Sequence, residues 1–293
     1  MSRRVHVVDL EFQGLGEVIA AFLVEGGGER VVLVETGPHS CYGALRAGVK
    51  RAGFAMGDVS DVLLTHIHFD HAGAAWAVAR DAPGATVHVH PAGARHLVDP
   101  ERLYGSATRI YGEAAMAMLW GEMHGIDEAR VRTWKHGEGD SVGGLDVTAY
   151  HTPGHAKHHI AWRVGEAAFY GDAGGVRIGG GPVEPPCPPP DIDLAVWRGS
   201  IGVLGGELAG GRAFLTHFGV VDRPRRHLTT LRSVLDAWEE KARALLSTDG
   251  PDAGEAAFVR YVEAQRGAHA ELYALANPAF MSWPGLVRAL RTA

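Results

Sequence analysis

Short apolar runs separated by glycine or polar turns dominate the first third of the chain. Valine, isoleucine, leucine and phenylalanine fill these runs, as is typical of β-strands. Apolar residues at helical spacing predict helices over residues 41–54 and 72–80. The apolar runs predict strands over residues 5–10, 18–24, 31–35, 62–65 and 86–90.

The same alternation of apolar runs and turns returns in the second half. The stretch 174–193 is rich in glycine and proline, which exclude a regular element there. From residue 225 onward, leucine, valine and tryptophan follow helical spacing, and a Gly/Asp/Pro break at 249–252 separates two predicted helices. The predicted strands of this half cover residues 147–151, 160–164, 167–170 and 213–216.

Residues 91–135 interrupt this rhythm with leucine, methionine and aromatic side chains. The segment is predicted to be mostly helical. Two interpretations are open: a helical layer of the core, or a flexible cover over a pocket. Methionine and aromatic side chains suit adaptable apolar recognition, which is the basis of the second interpretation.

Composition and charge narrow the functional classes. The net charge is −6 and no long block of lysine or arginine occurs, which argues against a nucleic-acid-binding protein. No run approaches the roughly 18 apolar residues that span a bilayer. The N-terminus lacks the apolar segment of a signal peptide, so we expect a cytoplasmic protein without a membrane partner. Cys41 and Cys187 are too few for a disulfide scaffold.

Histidine changes the picture, because the 17 histidines include a dense cluster. Three imidazoles and a carboxylate lie within six positions, directly after the apolar run at 62–65: His66, His68, Asp70 and His71. Imidazole and carboxylate are usual ligands of Zn²⁺ and of its neighbours in the transition series. The spacing predicts a metal site, with a solvated histidine-rich loop as the alternative.

Three further candidate ligands each follow a predicted strand. His155 comes after a Pro-Gly turn, and Asp172 and His217 end two other apolar runs. Each pattern is weak alone, since histidine and aspartate are common at strand ends. Together with the six-residue cluster they predict one shared centre. The other histidines that could support it are His88, His90, His151, His158 and His159.

This set of residues resembles the metallo-β-lactamase superfamily. The His-x-His-x-Asp-His hallmark is matched by residues 66–71, and the later ligands appear in the expected order. The resemblance implies an α/β fold, an αββα sandwich of two mixed β-sheets packed face to face with helices outside. It also implies two metal ions, one held by His66, His68 and His155 and the other by Asp70, His71 and His217, with Asp172 bridging them.

The resemblance covers roughly residues 5–220 and suggests a division of the chain. We expect a catalytic domain over residues 1–224, with 91–135 as a helical insertion or cover. Residues 225–293 are expected to form a C-terminal helical extension packed on that domain. This extension is also a candidate for lining the substrate entrance or for a homodimer contact.

A site of this kind generates its own nucleophile. Two metal ions about 3.5–4 Å apart share a hydroxide whose pKa falls from about 15.7 towards 7, and one ion polarises the scissile carbonyl. Asp70 is the candidate catalytic residue, because it can bind metal and also orient or deprotonate the water. Two divalent ions are expected, with zinc first and manganese or iron as alternatives. Glu35 is a candidate supporting residue where the family more often has aspartate.

The ligand set points to a substrate class by the same resemblance. Aspartate at position 172 and a third histidine in the second set are similar to the glyoxalase II and lactonase branches; antibiotic-degrading members usually carry cysteine at 172. We therefore predict hydrolysis of a small ester, thioester or lactone, a small-molecule acyl substrate. The tyrosine that lactonases carry after the bridging aspartate is missing here. The candidate substitutes in the substrate pocket are Tyr104, Tyr111 and Arg177.

Three other activities compete with this prediction. A mononuclear iron oxygenase resembling the persulfide dioxygenases would use His66, His68 and Asp172, but the complete second set argues against it. A nuclease would carry an inserted domain between ligands, and positions 172 and 217 are too close for one. A β-lactamase is also disfavoured, since those enzymes are exported and this chain has no export signal.

Overall fold

Two six-stranded β-sheets form the centre of the computed structural model, which describes residues 3–28 and 30–292. The first sheet contains β1 (Val5–Asp9), β2 (Ala20–Glu25), β3 (Val31–Val34), β4 (Val59–Leu63), β5 (Thr86–Val89) and β6 (Val131–Thr133). The second contains β7 (Gly139–Val142), β8 (Leu145–His151), β9 (Ile160–Val164), β10 (Ala167–Phe169), β11 (Arg212–Leu215) and β12 (Gly219–Val221).

Both sheets combine parallel and antiparallel strands. In the first, the strands follow chain order; β1, β2 and β3 are antiparallel, whereas β3, β4, β5 and β6 are parallel. In the second, the order is β12-β11-β10-β9-β8-β7, and only β10 and β11 are parallel. Parallel neighbours bring their C-terminal ends to one edge, where side chains from several strands can meet.

The core between the sheets is aromatic. Phe169 and Phe214 stack with ring centroids 5.1 Å apart, and Phe22 lies 5.2 Å from Phe169. The position of strand β2 between two packed layers explains why all of its residues before Glu25 are apolar. Phe22 faces the other sheet, while its neighbours Ala21 and Leu23 face the outer helices, so both faces of β2 are buried. Each such buried aromatic side chain stabilises the fold by roughly 1.5–3 kcal/mol.

Helices cover the outer faces of both sheets. The helices are α1 (Tyr42–Arg51), α2 (Phe69–Ala72), α3 (Ala75–Asp81), α4 (Pro91–Val98), α5 (Glu101–Tyr111), α6 (Glu113–Ala115), α7 (Leu194–Val203), α8 (Pro224–Thr248), α9 (Gly250–Arg266), α10 (Ala270–Ala276) and α11 (Ala279–Thr292). The first sheet packs against α1, α3, α4 and α5, and the second against α7, α8, α9 and α11. Two π-helical turns, Met116–Trp120 and Leu204–Leu208, follow α6 and α7.

The predicted fold class is confirmed by the two mixed sheets and the helices outside them. In the described part of the chain, no helix is both long and apolar enough to cross a bilayer. The division at residue 224 stays a prediction. Helix α8 begins there, but it buries Leu228, Leu231 and Leu235 in the same apolar cluster as the second sheet.

A buried ion pair fixes the C-terminal helices to the glycine- and proline-rich loop. The Arg266 guanidinium donates to both carboxylate oxygens of Glu184, Nε to Oε1 at 2.9 Å and Nη2 to Oε2 at 2.7 Å. Asn277 donates to the same carboxylate at 2.9 Å. All three residues are buried, so these contacts hold α9 and the end of α10 against the loop that follows the second sheet's β10.

Several element boundaries differ from the sequence-based expectation. In the 91–135 segment, helix ends at Trp120, and the chain is irregular until a short 3₁₀ turn and β6, because Gly121 adopts a positive φ of 71° and ends the helical run. The predicted helix 72–80 is two helices, and the first begins inside the histidine cluster at Phe69. The predicted break at 249–252 is shorter, since α9 starts at Gly250 with Pro251 in its first turn, where proline is favourable.

Candidate metal centre

The turn between β4 and α2 presents the histidine cluster. Buried strand β4 delivers the chain to the sheet edge, where His66 and His68 precede the helix. Asp70 and His71 lie in the first turn of α2, which is secured by bonds from the His71 and Ala72 peptide N–H groups to the His68 carbonyl oxygen, at 3.1 and 2.9 Å. The helix start therefore separates the cluster into two pairs that face different directions.

His155 completes a set of three imidazoles with the first pair. Its Nε2 lies 3.2 Å from His66 Nε2 and 3.1 Å from His68 Nδ1, and those two atoms are 2.9 Å apart. A tetrahedral zinc ion with Zn–N distances of about 2.0–2.1 Å separates its ligand nitrogens by roughly 3.3 Å. The three nitrogens are therefore arranged as one face of a small-ion site.

Asp70, His71 and His217 form the second set. Their candidate ligand atoms all lie within 4.8 Å of one another, and His217 Nε2 is 3.3 Å from Asp70 Oδ2. Asp172 stands between the sets. Its Oδ2 is 3.4 Å from His155 Nε2 in the first set, and its Oδ1 is 3.3 Å from His71 Nε2 in the second. The seven residues predicted from sequence are thus brought together in the predicted grouping.

Two buried atoms at this centre have no hydrogen-bond partner: His71 Nε2 and Asp172 Oδ1. Burying a polar atom without a hydrogen-bond partner costs roughly 1–3 kcal/mol. They face each other across 3.3 Å, and both are metal-ligating atom types. The donor set and its unpartnered atoms therefore fit divalent cations.

Hydrogen bonds on the far side of each ring fix which nitrogen faces the centre. His155 Nδ1 donates to the Pro186 carbonyl at 2.9 Å, and His217 Nδ1 donates to the Val18 carbonyl at 3.0 Å. His71 Nδ1 is bonded to the Glu35 carboxylate at 2.9 Å. Because Nδ1 carries the proton in each case, Nε2 offers its lone pair inward.

Glu35 connects the two sets from behind. Its Oε1 accepts from the Thr65 hydroxyl at 2.5 Å as well as from His71, and Thr65 Oγ1 is in turn 3.0 Å from His66 Nδ1. Glu35 and Thr65 are fully buried. Glu35 has a positive φ of 63°, which an L-residue rarely adopts and which the surrounding contacts hold in place. The side chain therefore reaches the supporting position expected for it.

The two sets differ electrostatically. Burial lowers the pKa of His66, and the neighbouring His71 adds to the effect; burial and His155 lower the pKa of His68 to about 4. For His71 and His217, burial works in the same direction, but Asp172 and Asp70 outweigh it and raise the pKa. The first set is thus neutral imidazole, the form that binds metal, whereas in the second set the two carboxylates favour a positive charge, which a bound cation would supply in place of a proton.

His158 and His159 support the centre without joining it. His158 Nε2 accepts from the Ile67 peptide N–H at 3.2 Å, inside the histidine cluster. His159 Nε2 accepts from the Ala173 N–H at 3.2 Å, next to Asp172, and its Nδ1 bonds to the Thr152 hydroxyl at 2.8 Å. Both imidazoles therefore hold ligand-bearing backbone in position.

The other three histidines that were predicted as possible supports, His88, His90 and His151, form hydrogen bonds or ring contacts elsewhere. His88 bonds to Asp61 at 2.8 Å and accepts from the Trp134 indole at 2.9 Å. His90 and His151 stack with centroids 4.3 Å apart. His151 also donates to the Lys157 carbonyl at 2.8 Å.

The three candidate substrate residues are placed differently. Burial and the Asp70 carboxylate raise the pKa of Tyr111 to about 12, so its hydroxyl stays protonated beside the second set. The Tyr104 hydroxyl donates to the Gly121 carbonyl at 3.0 Å and closes the segment on itself. The Arg177 peptide N–H donates to the His217 carbonyl, while its side chain lines a different pocket. Of the three, Tyr111 is the one whose pKa a candidate ligand, Asp70, raises.

Trp197 is a supporting residue that sequence reasoning missed. Its indole donates to the Ala173 carbonyl at 2.9 Å, and its ring lies 5.7 Å from that of His155. A Cβ at Gly154 would come within 2.4 Å of Trp197, and Gly154 has a positive φ of 126°, so only glycine fits before His155. The Pro-Gly pair in the sequence indicated the turn at Gly154. No feature of the sequence indicated that Trp197, on α7, packs against this turn.

Residues 15–242 match the family model described as the metallo-beta-lactamase superfamily. The chain belongs to this superfamily. Most members of the metallo-β-lactamase superfamily are metal-dependent hydrolases, which agrees with a centre built from histidine and aspartate. Membership of the superfamily alone does not define the reaction or the substrate.

Two curated relatives match about half of the chain. A metallo-beta-lactamase fold-containing protein of Sulfurisphaera tokodaii is 30% identical over 162 residues, 53% of this chain and 60% of that protein. An uncharacterized protein of Mycobacterium tuberculosis is 32% identical over 145 residues, 50% of this chain and 59% of that protein. The chain thus matches about three-fifths of the length of these relatives.

Solved structures of the superfamily share the fold over most of the chain. An archaeal member from Sulfolobus tokodaii has a TM-score of 0.66 at 22% identity and covers 100% of both chains. A member from Thermus thermophilus has a TM-score of 0.69 at 23% identity, covering 99% of this chain and 93% of that one. At such identities the likeness establishes the fold alone.

Proposed function

We propose that the chain is a cytoplasmic hydrolase of the glyoxalase II and lactonase-like branch, which uses two divalent ions to cleave a small ester, thioester or lactone. Zinc is the expected metal. The observation that carries the proposal is the division of seven imidazole and carboxylate groups into two sets, with Asp172 between them. A complete second set favours a dinuclear hydrolase over a mononuclear iron oxygenase.

The residues of the second set support a role for Asp70 in orienting water. Two divalent ions at these sets would supply a water of lowered pKa and polarise the substrate carbonyl. Burial works against ionisation of Asp70, but His71 and His217 lower its pKa to about 2. The ionised Asp70 carboxylate can accept a hydrogen bond from such a water and so orient it. Tyr111, protonated nearby, is the candidate donor to the developing negative charge.

A buried aromatic cluster and two exposed apolar side chains near the histidine cluster support an acyl substrate. Phe69, within the histidine cluster, stacks on Trp120 with centroids 6.3 Å apart, and Trp120 stacks on Phe12 at 5.8 Å. Leu15 and Met118 are exposed, and the backbone of Met118 accepts a hydrogen bond from Gln13 in the Leu15 loop. Exposed apolar side chains grouped in this way favour binding of a hydrocarbon portion.

A hydrolysis panel tests the proposal. The metal-loaded protein is assayed with 4-nitrophenyl esters, thioesters and lactones of increasing acyl length, beside a phosphodiester and a cephalosporin. We expect cleavage of at least one acyl class. His68→Ala should abolish it while circular dichroism and melting stay near wild type, because His68 touches only the centre. His124→Ala, at an exposed histidine paired with Glu122, is the matched control and should keep full activity.

The outcomes separate the alternatives. Activity retained in His68→Ala would contradict the assigned centre. Cleavage of the phosphodiester or the cephalosporin alone would replace the acyl substrate by a nuclease or β-lactamase activity. Oxygen uptake with a persulfide and no hydrolysis would replace the hydrolase by an oxygenase.

A further inference from the structure

A second pocket lies beside the segments that follow Asp172 and His217. It is formed between the loop after β10 and the beginning of α8, with a volume of about 470 Å³, within the range of small-molecule sites. We call it the arginine pocket, because three arginines line it: Arg177, Arg223 and Arg226. Asp222 is the one acidic residue among the described residues of its lining.

The charges of the arginine pocket are not neutralised by the protein. Within the described residues, no carboxylate oxygen forms an ion pair with Arg177, Arg223 or Arg226 at 4.0 Å or less. Arginines further along the same helix behave differently, since Arg232 pairs with Asp236 and Arg243 with Glu239. The unpaired guanidinium groups are therefore specific to the pocket end of α8.

The beginning of α8 adds to this positive potential. The helix has 25 residues, no acidic residue in its first turn and no side-chain hydrogen bond from its N-cap residue Arg223. The N-terminus of a helix carries partial positive charge and usually has acidic residues beside it. Its free N–H groups also bind anions directly. Arginine at positions 223 and 226 opposes the helix dipole unless an anion is bound there.

We propose that the arginine pocket binds the phosphate group of a small organic phosphate. Guanidinium groups match phosphate oxygens bidentately. Three arginines and one aspartate leave a charge of about +2, which complements the charge of about −1.5 to −2 on a phosphate monoester at pH 7. A monocarboxylate would neutralise only half of this charge. The volume of about 470 Å³ exceeds the space that one phosphate group fills and leaves room for an organic portion.

Hydrogen bonds connect the pocket to the metal centre. The Arg177 peptide N–H donates to the carbonyl oxygen of His217, and the His227 imidazole donates to the Gly174 carbonyl at 2.7 Å, two residues after Asp172. The pocket and the centre therefore share two backbone segments. The phosphate belongs to the leaving group of the acyl substrate, for example a phosphorylated thiol; this assignment rests on the proposed hydrolase function.

Calorimetry with inorganic phosphate and phenyl phosphate tests the pocket without any need for turnover. We expect binding to the metal-loaded protein, weakened about tenfold or more in R223Q/R226Q, since one charged hydrogen bond contributes about 1.5–3 kcal/mol. R232Q/R243Q, which removes the same two charges from the same helix outside the pocket, should bind as wild type. Phosphate also binds metal ions, so His68→Ala is included and should keep its binding. Equal affinity in R223Q/R226Q, or loss in His68→Ala alone, would overturn the proposal.

Activity then identifies the source of the phosphate. S-acetyl-phosphopantetheine and S-acetyl-pantetheine differ only by the phosphate group. If the substrate carries the phosphate, the phosphorylated thioester has the higher kcat/KM, and R223Q/R226Q removes this preference through KM while R232Q/R243Q keeps it. Equal kcat/KM with retained phosphate binding would overturn the substrate assignment and make free phosphate the ligand. Hydrolysis of neither thioester would overturn the assignment of the phosphate to a thiol leaving group, while the calorimetry still decides the pocket and the ester and lactone panel still decides the proposed function.

Discussion

At the scale of single residues, the candidate centre depends on side chains that contact the candidate ligands but are not ligands themselves. Glu35 is the clearest of them, because it accepts from His71 and Thr65, and Thr65 contacts His66. One buried carboxylate thus orients an imidazole in each set. Partners of this kind raise the basicity of a metal ligand and hold its ring in place.

Glu35→Gln tests this support. The amide keeps the size of the side chain but loses the negative charge that holds the His71 Nδ1 proton. We expect metal affinity to fall about 10–100-fold, the usual effect of losing such a partner. Competition with a chromophoric chelator measures it. Glu122→Gln, at an exposed carboxylate, is the control, and equal affinity in both variants would contradict the assigned role.

The ligands themselves could be predicted from sequence, whereas most of their supports could not. Imidazole and carboxylate side chains at strand ends report their chemistry through residue type. The carbonyl groups of Val18 and Pro186, which fix His217 and His155, leave no such signal, because every residue has a carbonyl. Only the folded chain shows which carbonyl meets which ring.

At the scale of elements, burial decided what the sequence could predict. Strands β2 and β3 are buried apolar runs and lie within two residues of their predicted bounds. Strand β4 begins at Val59, three residues before the predicted run 62–65, because the polar Ser60 and Asp61 at its start hide it from the apolar pattern. Strands β6 and β7 are short and largely exposed, and β12 has three residues, so their apolar signal is weak. They exist because a neighbouring strand supplies hydrogen bonds, which a local pattern does not encode.

The Arg266–Glu184 pair is the element-scale contact with the largest expected effect. Arg266→Ala leaves a buried carboxylate without its counter-charge, so we expect the free energy of unfolding to fall by about 3–5 kcal/mol. Urea denaturation measures it. Arg243→Ala removes an exposed i,i+4 pair on α8 and should cost only about 0.3–0.5 kcal/mol. A small, equal effect in both variants would show that α9 and α10 do not depend on the buried pair.

At the scale of the whole molecule, the fold gathers distant parts of the chain at one end of the sandwich. Four segments, at residues 66–71, 155, 172 and 217, supply the candidate ligands. The buried aromatic cluster of Phe12, Phe69 and Trp120 adjoins the histidine cluster, and the arginine pocket lies beside the segments that follow Asp172 and His217. This arrangement suits a substrate with an apolar acyl part and a charged leaving group.

The central claim is that the seven residues hold two ions, and metal content tests it most directly. Protein expressed and purified without added metal, then measured by elemental mass spectrometry, should contain close to two divalent ions per chain. Asp172→Asn should lower this content, because it weakens the carboxylate between the sets, while His124→Ala should not. A single iron per chain, or metal content unchanged in Asp172→Asn, would contradict the dinuclear centre.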